Sequence, residues 1–182
     1  MPAAPTSSLG IWFARADAAE YRICRKLNQG AAFPVTRRIF QIASRLGDGL
    51  IWYVLIPALP ALYGRQALRP AAVMAITGVL GVIIYKMLKR VCFRERPFIT
   101  HTSIDLAMAP LDRYSFPSGH TLHAVCFTLQ AAAHFPQLAA VLIPLALTIA
   151  ASRVVLGLHY PTDVLAGAAL GACLGTLGLS LS

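Results

Sequence analysis

The sequence predicts an all-α, polytopic membrane helical bundle of about five transmembrane helices, preceded by amphipathic interfacial helices. Three observations carry that prediction. Hydrophobic residues make up 57% of the chain. Charged residues make up only 13%, against roughly 25% in a typical soluble domain, so polar groups are too few to cover a soluble globule. The apolar residues also gather into long runs that lack the polar face a surface helix requires. The 182 residues suit one membrane-embedded domain, 1–182, with an amphipathic N-terminal region at 1–46 and a motif-bearing region at 86–167.

Taken in order, Met1 to Phe13 has neither a basic start nor a sustained apolar run, so no secretory leader is expected. Ala18 to Asn28 and Val35 to Leu46 mix Arg and Lys with Ile, Leu, Phe and Tyr. Ile39, Ile42, Ala43 and Leu46 recur at helical spacing opposite Arg37, Arg38 and Arg45, the pattern of a helix lying in the membrane interface. Five apolar runs follow: Gly49 to Tyr63, Ala71 to Tyr85, Thr121 to Phe135, Leu138 to Ala151 and Val164 to Leu181. Each is near or below the roughly 20 residues that a spanning helix needs, so flanking residues complete several of them. Pro57 and Pro60 predict a kink in the first. Gly167, Gly171 and Gly175 put small residues on one face of the last, where helices can approach closely in lipid.

The formal net charge is +9. The basic residues border hydrophobic spans rather than forming a polar stripe. That placement argues against nucleic acid and for membrane lipids or a phosphorylated substrate. Cys24, Cys92, Cys126 and Cys173 lie far apart, without paired-ligand spacing. Cys126 and Cys173 fall inside apolar runs and read as small buried hydrophobes.

The residues that carry chemistry sit between the spans. Lys89 to Pro97 follows the second, Pro117-Ser118-Gly119-His120 opens the third, and Ser152, Arg153, His159 and Asp163 join the fourth to the fifth. The second span ends, the third begins, the fourth ends and the fifth begins on one side of the membrane. An up-and-down bundle therefore gathers Lys89, Arg96, Ser118, His120, Arg153, His159 and Asp163 at one mouth.

Those residues suit phosphoryl transfer. Lys89, Arg96 and Arg153 supply positive charge, and Arg grips phosphate oxygens in bidentate fashion. Pro97 biases Arg96 away from helical geometry. Ser118 stands at a helix cap, where free backbone N–H groups favour anions, and Gly119 lets an oxyanion approach the backbone. A charge within the membrane costs about 2.5–3.5 kcal/mol on insertion scales, so basic residues grouped at a membrane rim call for a functional account. His159 and Asp163 are four apart with Pro161 in the first helical turn, a spacing that brings carboxylate to imidazole. Asp163 then fixes the tautomer and leaves the other nitrogen free to attack phosphorus. His120 follows as the general acid. His101, His123 and His134 read as structural.

These residues resemble the signature of the type 2 phosphatidic acid phosphatase family, which also includes soluble acid phosphatases and vanadium haloperoxidases. Its three motifs, Lys-x6-Arg-Pro, Pro-Ser-Gly-His and Ser-Arg-x5-His-x3-Asp, match without substitution at Lys89/Arg96/Pro97, Pro117 to His120, and Ser152/Arg153/His159/Asp163. The resemblance covers roughly Lys86 to Gly167. It implies a phosphohistidine on His159 with Asp163 orienting the ring. It implies that His120 protonates the leaving group and then activates water. Lys89, Arg96, Ser118, Gly119 and Arg153 would bind the phosphate. It also implies that no metal or other cofactor is needed. The substrates it implies are a phospholipid or polyprenyl phosphate or diphosphate of the undecaprenyl diphosphate, phosphatidylglycerol phosphate or phosphatidate type. Bacterial membrane members often carry six spans; without the first, five remain and the termini fall on opposite sides.

On the five-span reading, fourteen Lys and Arg residues lie on the catalytic side and only Arg65 and Arg69 lie opposite. The positive-inside rule then places the mouth in the cytoplasm, and the protein in the cell (inner) membrane. The loop from Phe98 to Phe116 either caps the site, guiding an acyl or prenyl chain, or is a surface connector. Vanadate-dependent halide oxidation is the competing enzymatic reading, and a small membrane-embedded chain argues against it. A non-catalytic lipid-binding protein is the third, and the intact His120, His159 and Asp163 argue against that. The oligomeric state is not legible in the sequence.

Overall fold

Helix α6 (Gly119–His134) stands at the centre of the fold, buried on several sides, with Leu122, Ala124, Cys126, Phe127 and Ala131 all out of contact with the surroundings. The computed structural model describes residues 8–182. The leader reading at Met1 to Phe13 lies, for its first seven residues, outside the described residues. The other helices are α1 (Ser8–Asn28), α2 (Pro34–Arg45), α3 (Ile51–Tyr63), α4 (Leu68–Cys92), the short α5 (Pro97–Thr100), α7 (Ala139–Val155) and α8 (Pro161–Leu181). The described residues form no strand beyond an isolated bridge between Glu95 and Tyr114.

Among the described residues, four segments are long and apolar enough to cross a membrane: Pro34–Tyr63, Arg65–Cys92, Pro136–Val155 and Pro161–Leu181. The expected third span, α6, has 16 residues, about 24 Å of helix against a hydrocarbon core of about 30 Å. Its neighbours shield it, so it does not itself have to match the lipid. The tightest packing is on α8, whose Gly167 and Gly171 let the backbones meet. A Cβ at either position would collide with the carbonyl oxygens of Ser118 and Leu122. The sequence-predicted glycine stripe is thus the seam between the two helices that carry the histidine motifs.

The first span differs from the expectation in how it begins. Helices α2 and α3 are joined by a widened π turn, Leu46–Leu50, kinked at Gly49 with φ 124°. An L side chain rarely adopts that angle, so glycine permits the turn there. Helix α2 stays beside the catalytic end, where Gln41 Nε2 donates to the Ala107 carbonyl at 2.8 Å. Phe33, Val35, Ile39 and Ile42 are exposed along it, as an interfacial helix requires. Helix α1 is fastened by Asn28, which donates to the carbonyls of Asp105 and Val155, both at 3.0 Å, and accepts from the Asp105 N–H at 2.8 Å. At the opposite end, Arg69 Nε donates to the Leu181 carbonyl at 3.1 Å, joining the start of α4 to the end of α8. Of the two cysteines read as buried, Cys126 is, but Cys173 is exposed, because it faces outward from α8.

Candidate active site

The last turn of α4 carries Lys89, and the helix stops at Phe93, which adopts a left-handed φ of 47°. The chain then runs extended, and Ser115 N donates to the Arg94 carbonyl at 2.8 Å, holding the loop before α6 against the first motif. Arg96 is extended, with φ −81° and ψ 153°, as its position before Pro97 dictates. Its side chain leaves the helix and reaches across the mouth. Nη1 donates to the Leu158 carbonyl at 2.8 Å and to His159 Nε2 at 3.1 Å.

That second contact identifies the tautomer. A guanidinium only donates, so His159 Nε2 accepts and the ring proton sits on Nδ1. Nδ1 lies 3.6 Å from Asp163 Oδ2, longer than a hydrogen bond but facing the carboxylate. Burial first, then Arg96, Arg153 and Lys89, push the imidazole well below its ordinary value, so the ring is neutral and its Nε2 lone pair, held by Arg96, faces the cavity side of the ring. Pro161 starts α8, and Asp163 accepts from the Tyr160 N–H at 2.8 Å, closing a capping box. The other oxygen of Asp163 accepts from Arg94, which also binds Asp17 and Glu20 of α1 and lies 4.1 Å from the Tyr160 ring.

Ser118 caps α6, its Oγ accepting from Thr121 N at 3.5 Å, and its own N–H donates to the Asp163 carbonyl at 3.0 Å. The side chain is buried behind the cavity wall, which Gly119 and His120 form instead. His120 Nε2 is bonded to Asp48 in the turn between α2 and α3. A carboxylate accepts, so Nε2 carries the proton. Arg153 is buried, with Nη1 donating to Ser44 of α2 and Nε lacking an acceptor. An unsatisfied buried donor costs about 1–3 kcal/mol, and an anion entering the cavity would relieve it.

Lys89, Arg96, Gly119, His120, Arg153 and His159 therefore share one cavity of about 410 Å³. Its deeper walls are apolar: Trp52, Ile56 and Pro57 from α3, Val79 and Val82 from α4, and Phe127 from α6. Of the Phe98–Phe116 loop, Leu111 and Asp112 reach the cavity, so the loop caps the site while α3 and α4 supply the apolar walls. His123 also borders the cavity, its Nε2 bonded to the Gly78 carbonyl at 3.1 Å in a helix-to-helix tie.

Four residues of this site were not singled out from the sequence: Ser44, Asp48, Arg94 and Asp112. Asp48 did carry a signal, an acidic residue between two glycines on the catalytic side of a span. Asp112 stood between the first two motifs. Arg94 was one cation in a basic run, with nothing local to show that it turns inward toward Asp163.

A family model described as PAP2 superfamily matches residues 66–182. The chain is 32% identical over 129 residues to undecaprenyl-diphosphatase BcrC of Bacillus subtilis, covering 70% of this chain and 66% of that protein. It is 32% identical over 135 residues to decaprenylphosphoryl-5-phosphoribose phosphatase of Mycobacterium tuberculosis, covering 74% and 73%. Matches to the first curated relatives span between 43% and 73% of their own length, under two thirds for the first two. Among solved structures, Aquifex aeolicus LpxE superposes with a TM-score of 0.77 at 27% identity, covering 89% of this chain and 95% of that one.

Proposed function

The chain belongs to the PAP2 superfamily, and we propose that it is a multi-pass membrane phosphatase that hydrolyses a lipid phosphate or diphosphate through a phosphohistidine on His159. One observation carries the reading: a cavity whose mouth holds three cations and two histidines, and whose depth is apolar. The phosphate sits among Lys89, Arg96 and Arg153, with the N-terminus of α6 at Gly119 beside it. The lipid chain runs between α3 and α4.

His159 Nε2, released as the phosphate draws Arg96 Nη1 onto itself, attacks phosphorus, and the bond from phosphorus to the lipid oxygen breaks. His120, protonated on both nitrogens with Nε2–H held by Asp48, gives its Nδ1 proton to that oxygen. Asp163 stabilises the positive charge that the modified ring carries. In the second half His120 takes a proton from water, the hydroxide attacks phosphorus, and the phosphorus–nitrogen bond breaks to release inorganic phosphate. The relatives named above act on polyprenyl-linked phosphates, which favours a polyprenyl phosphate or diphosphate over a glycerophospholipid. The bias of fourteen basic residues to two supports a cytoplasmic mouth, and a reporter fused at Ser182 that proved cytoplasmic would overturn that placement.

The test is phosphate release by purified protein across a panel of polyprenyl, glycerophospholipid and lipid A phosphates and diphosphates. Turnover of at least one, blocked by vanadate as a mimic of pentacoordinate phosphorus, is expected. Turnover of none in a folded protein would contradict the proposal.

A further inference from the structure

The acceptors that occupy two of the three cations, Lys89 and Arg96, set a problem for any incoming phosphate. Lys89 has three N–H donors, and all are used: Asp112 Oδ1 and Oδ2, each at 2.8 Å, and the Tyr114 carbonyl at 2.9 Å. Arg96 has five, and four are used. Nη1 holds the Leu158 carbonyl and His159 Nε2, Nη2 holds Asp112 Oδ1 at 2.6 Å, and Nε holds the Asp112 carbonyl at 2.8 Å. The Asp112 carboxylate thus sits where a phosphate would have to take its bonds from Lys89 and Arg96. Burial would raise this carboxyl, but Lys89 and Arg96 outweigh that and hold it below the usual carboxylate range, so it is an anion. Its side chain remains 42% exposed at the cavity mouth.

We propose that Asp112 is a specificity-determining residue: its carboxylate is a built-in competitor that a phosphate must displace. This rests on Lys89 and Arg96 being the phosphate seat. A ligand that brings only a phosphate gains little by exchanging one anion for another. A lipid phosphate also fills the apolar depth between α3 and α4, and that burial drives the exchange. The site therefore discriminates against free phosphate and soluble phosphate esters, not by shape but by making the seat costly to take. The same carboxylate returns after hydrolysis and helps to expel the inorganic phosphate.

The experiment compares wild type with Asp112→Asn for inhibition by inorganic phosphate and by vanadate. Asparagine keeps the shape and loses the charge. The inhibition constants are expected to fall about tenfold, the lower end of what a hydrogen bond to a charged group contributes. The ratio of turnover on a short-chain soluble phosphate to that on a long-chain lipid phosphate is expected to rise. Should the variant fail to fold, hydrogen exchange in the wild type decides: saturating vanadate is expected to quicken exchange in residues 105–116 by releasing the carboxylate. Unchanged or raised inhibition constants, or slower exchange with vanadate, overturn the inference. Wild type and Asp112→Asn that both bind neither anion overturn the phosphate seat and the inference with it. Wild-type binding with an unaffected variant removes only the role of Asp112.

Discussion

The mouth holds two histidine–aspartate pairs, and they are built in opposite ways. His159 and Asp163 lie four residues apart, both buried, with Asp163 clamped by Arg94 and by the Tyr160 N–H. His120 and Asp48 lie 72 residues apart, and the Asp48 side chain is 28% exposed in a glycine-flanked turn. A nucleophile has to present one lone pair in one direction, so rigidity serves it. A group that gives a proton to a leaving oxygen and then takes one from water needs access, and a partner that can move serves it better. On the proposed mechanism, the fixed pair would make the bond to phosphorus and the open pair would handle protons.

The comparison breaks most sharply at the nucleophile. His159→Ala should lower turnover by about a millionfold, the scale seen when a catalytic nucleophile is removed, and phosphate-release assays would show it. Asp163→Asn leaves the shape but favours the wrong tautomer. Roughly a ten-thousandfold loss of kcat is expected, by analogy with the buried aspartate of serine-protease triads, with KM changing far less. Asp48→Asn acts only through His120, and a loss of about a hundredfold is expected. That loss should be deepest on alkyl phosphates, whose leaving oxygen needs a proton, and shallow on aryl phosphates, which leave without one. An equal loss on both would place Asp48 in folding rather than in proton transfer.

A smaller effect concerns the stability of the fixed pair. His159 has a lowered pKa in the folded protein, so below about pH 6.5 the unfolded chain binds a proton there that the folded one does not. Its contribution is therefore present above that pH and lost as pH falls, by at most about 1.4 kcal/mol per pH unit. His159→Gln should unfold at pH 5 with less loss of thermal stability, relative to pH 7, than wild type. An identical pH dependence would mean that the ring titrates normally.

The same contrast explains what could be read from the sequence. Lys89, Arg96, His120, Arg153, His159 and Asp163 were legible because alternating spans put the ends of four helices on one side, and because His159 and Asp163 share a helical turn. The Gly167, Gly171 and Gly175 stripe was legible as a packing face, though its partner, α6, was not. Asp48, Ser44 and Arg94 were not legible, because each meets its partner across dozens of residues in a contact that no local period encodes. The kink at Gly49 has the same character. It depends on a φ angle, and only the fold shows that this angle aims Asp48 at His120. Cys173 shows the limit of composition: a residue in an apolar run can face lipid as readily as the core.

Rapid quenching during turnover of a phosphate-labelled lipid, followed by peptide mapping, tests the nucleophile most directly. The account predicts an acid-labile, alkali-stable phosphoryl group on the peptide containing His159, absent from His159→Ala. Label on a different residue, or full turnover by His159→Ala, would contradict it.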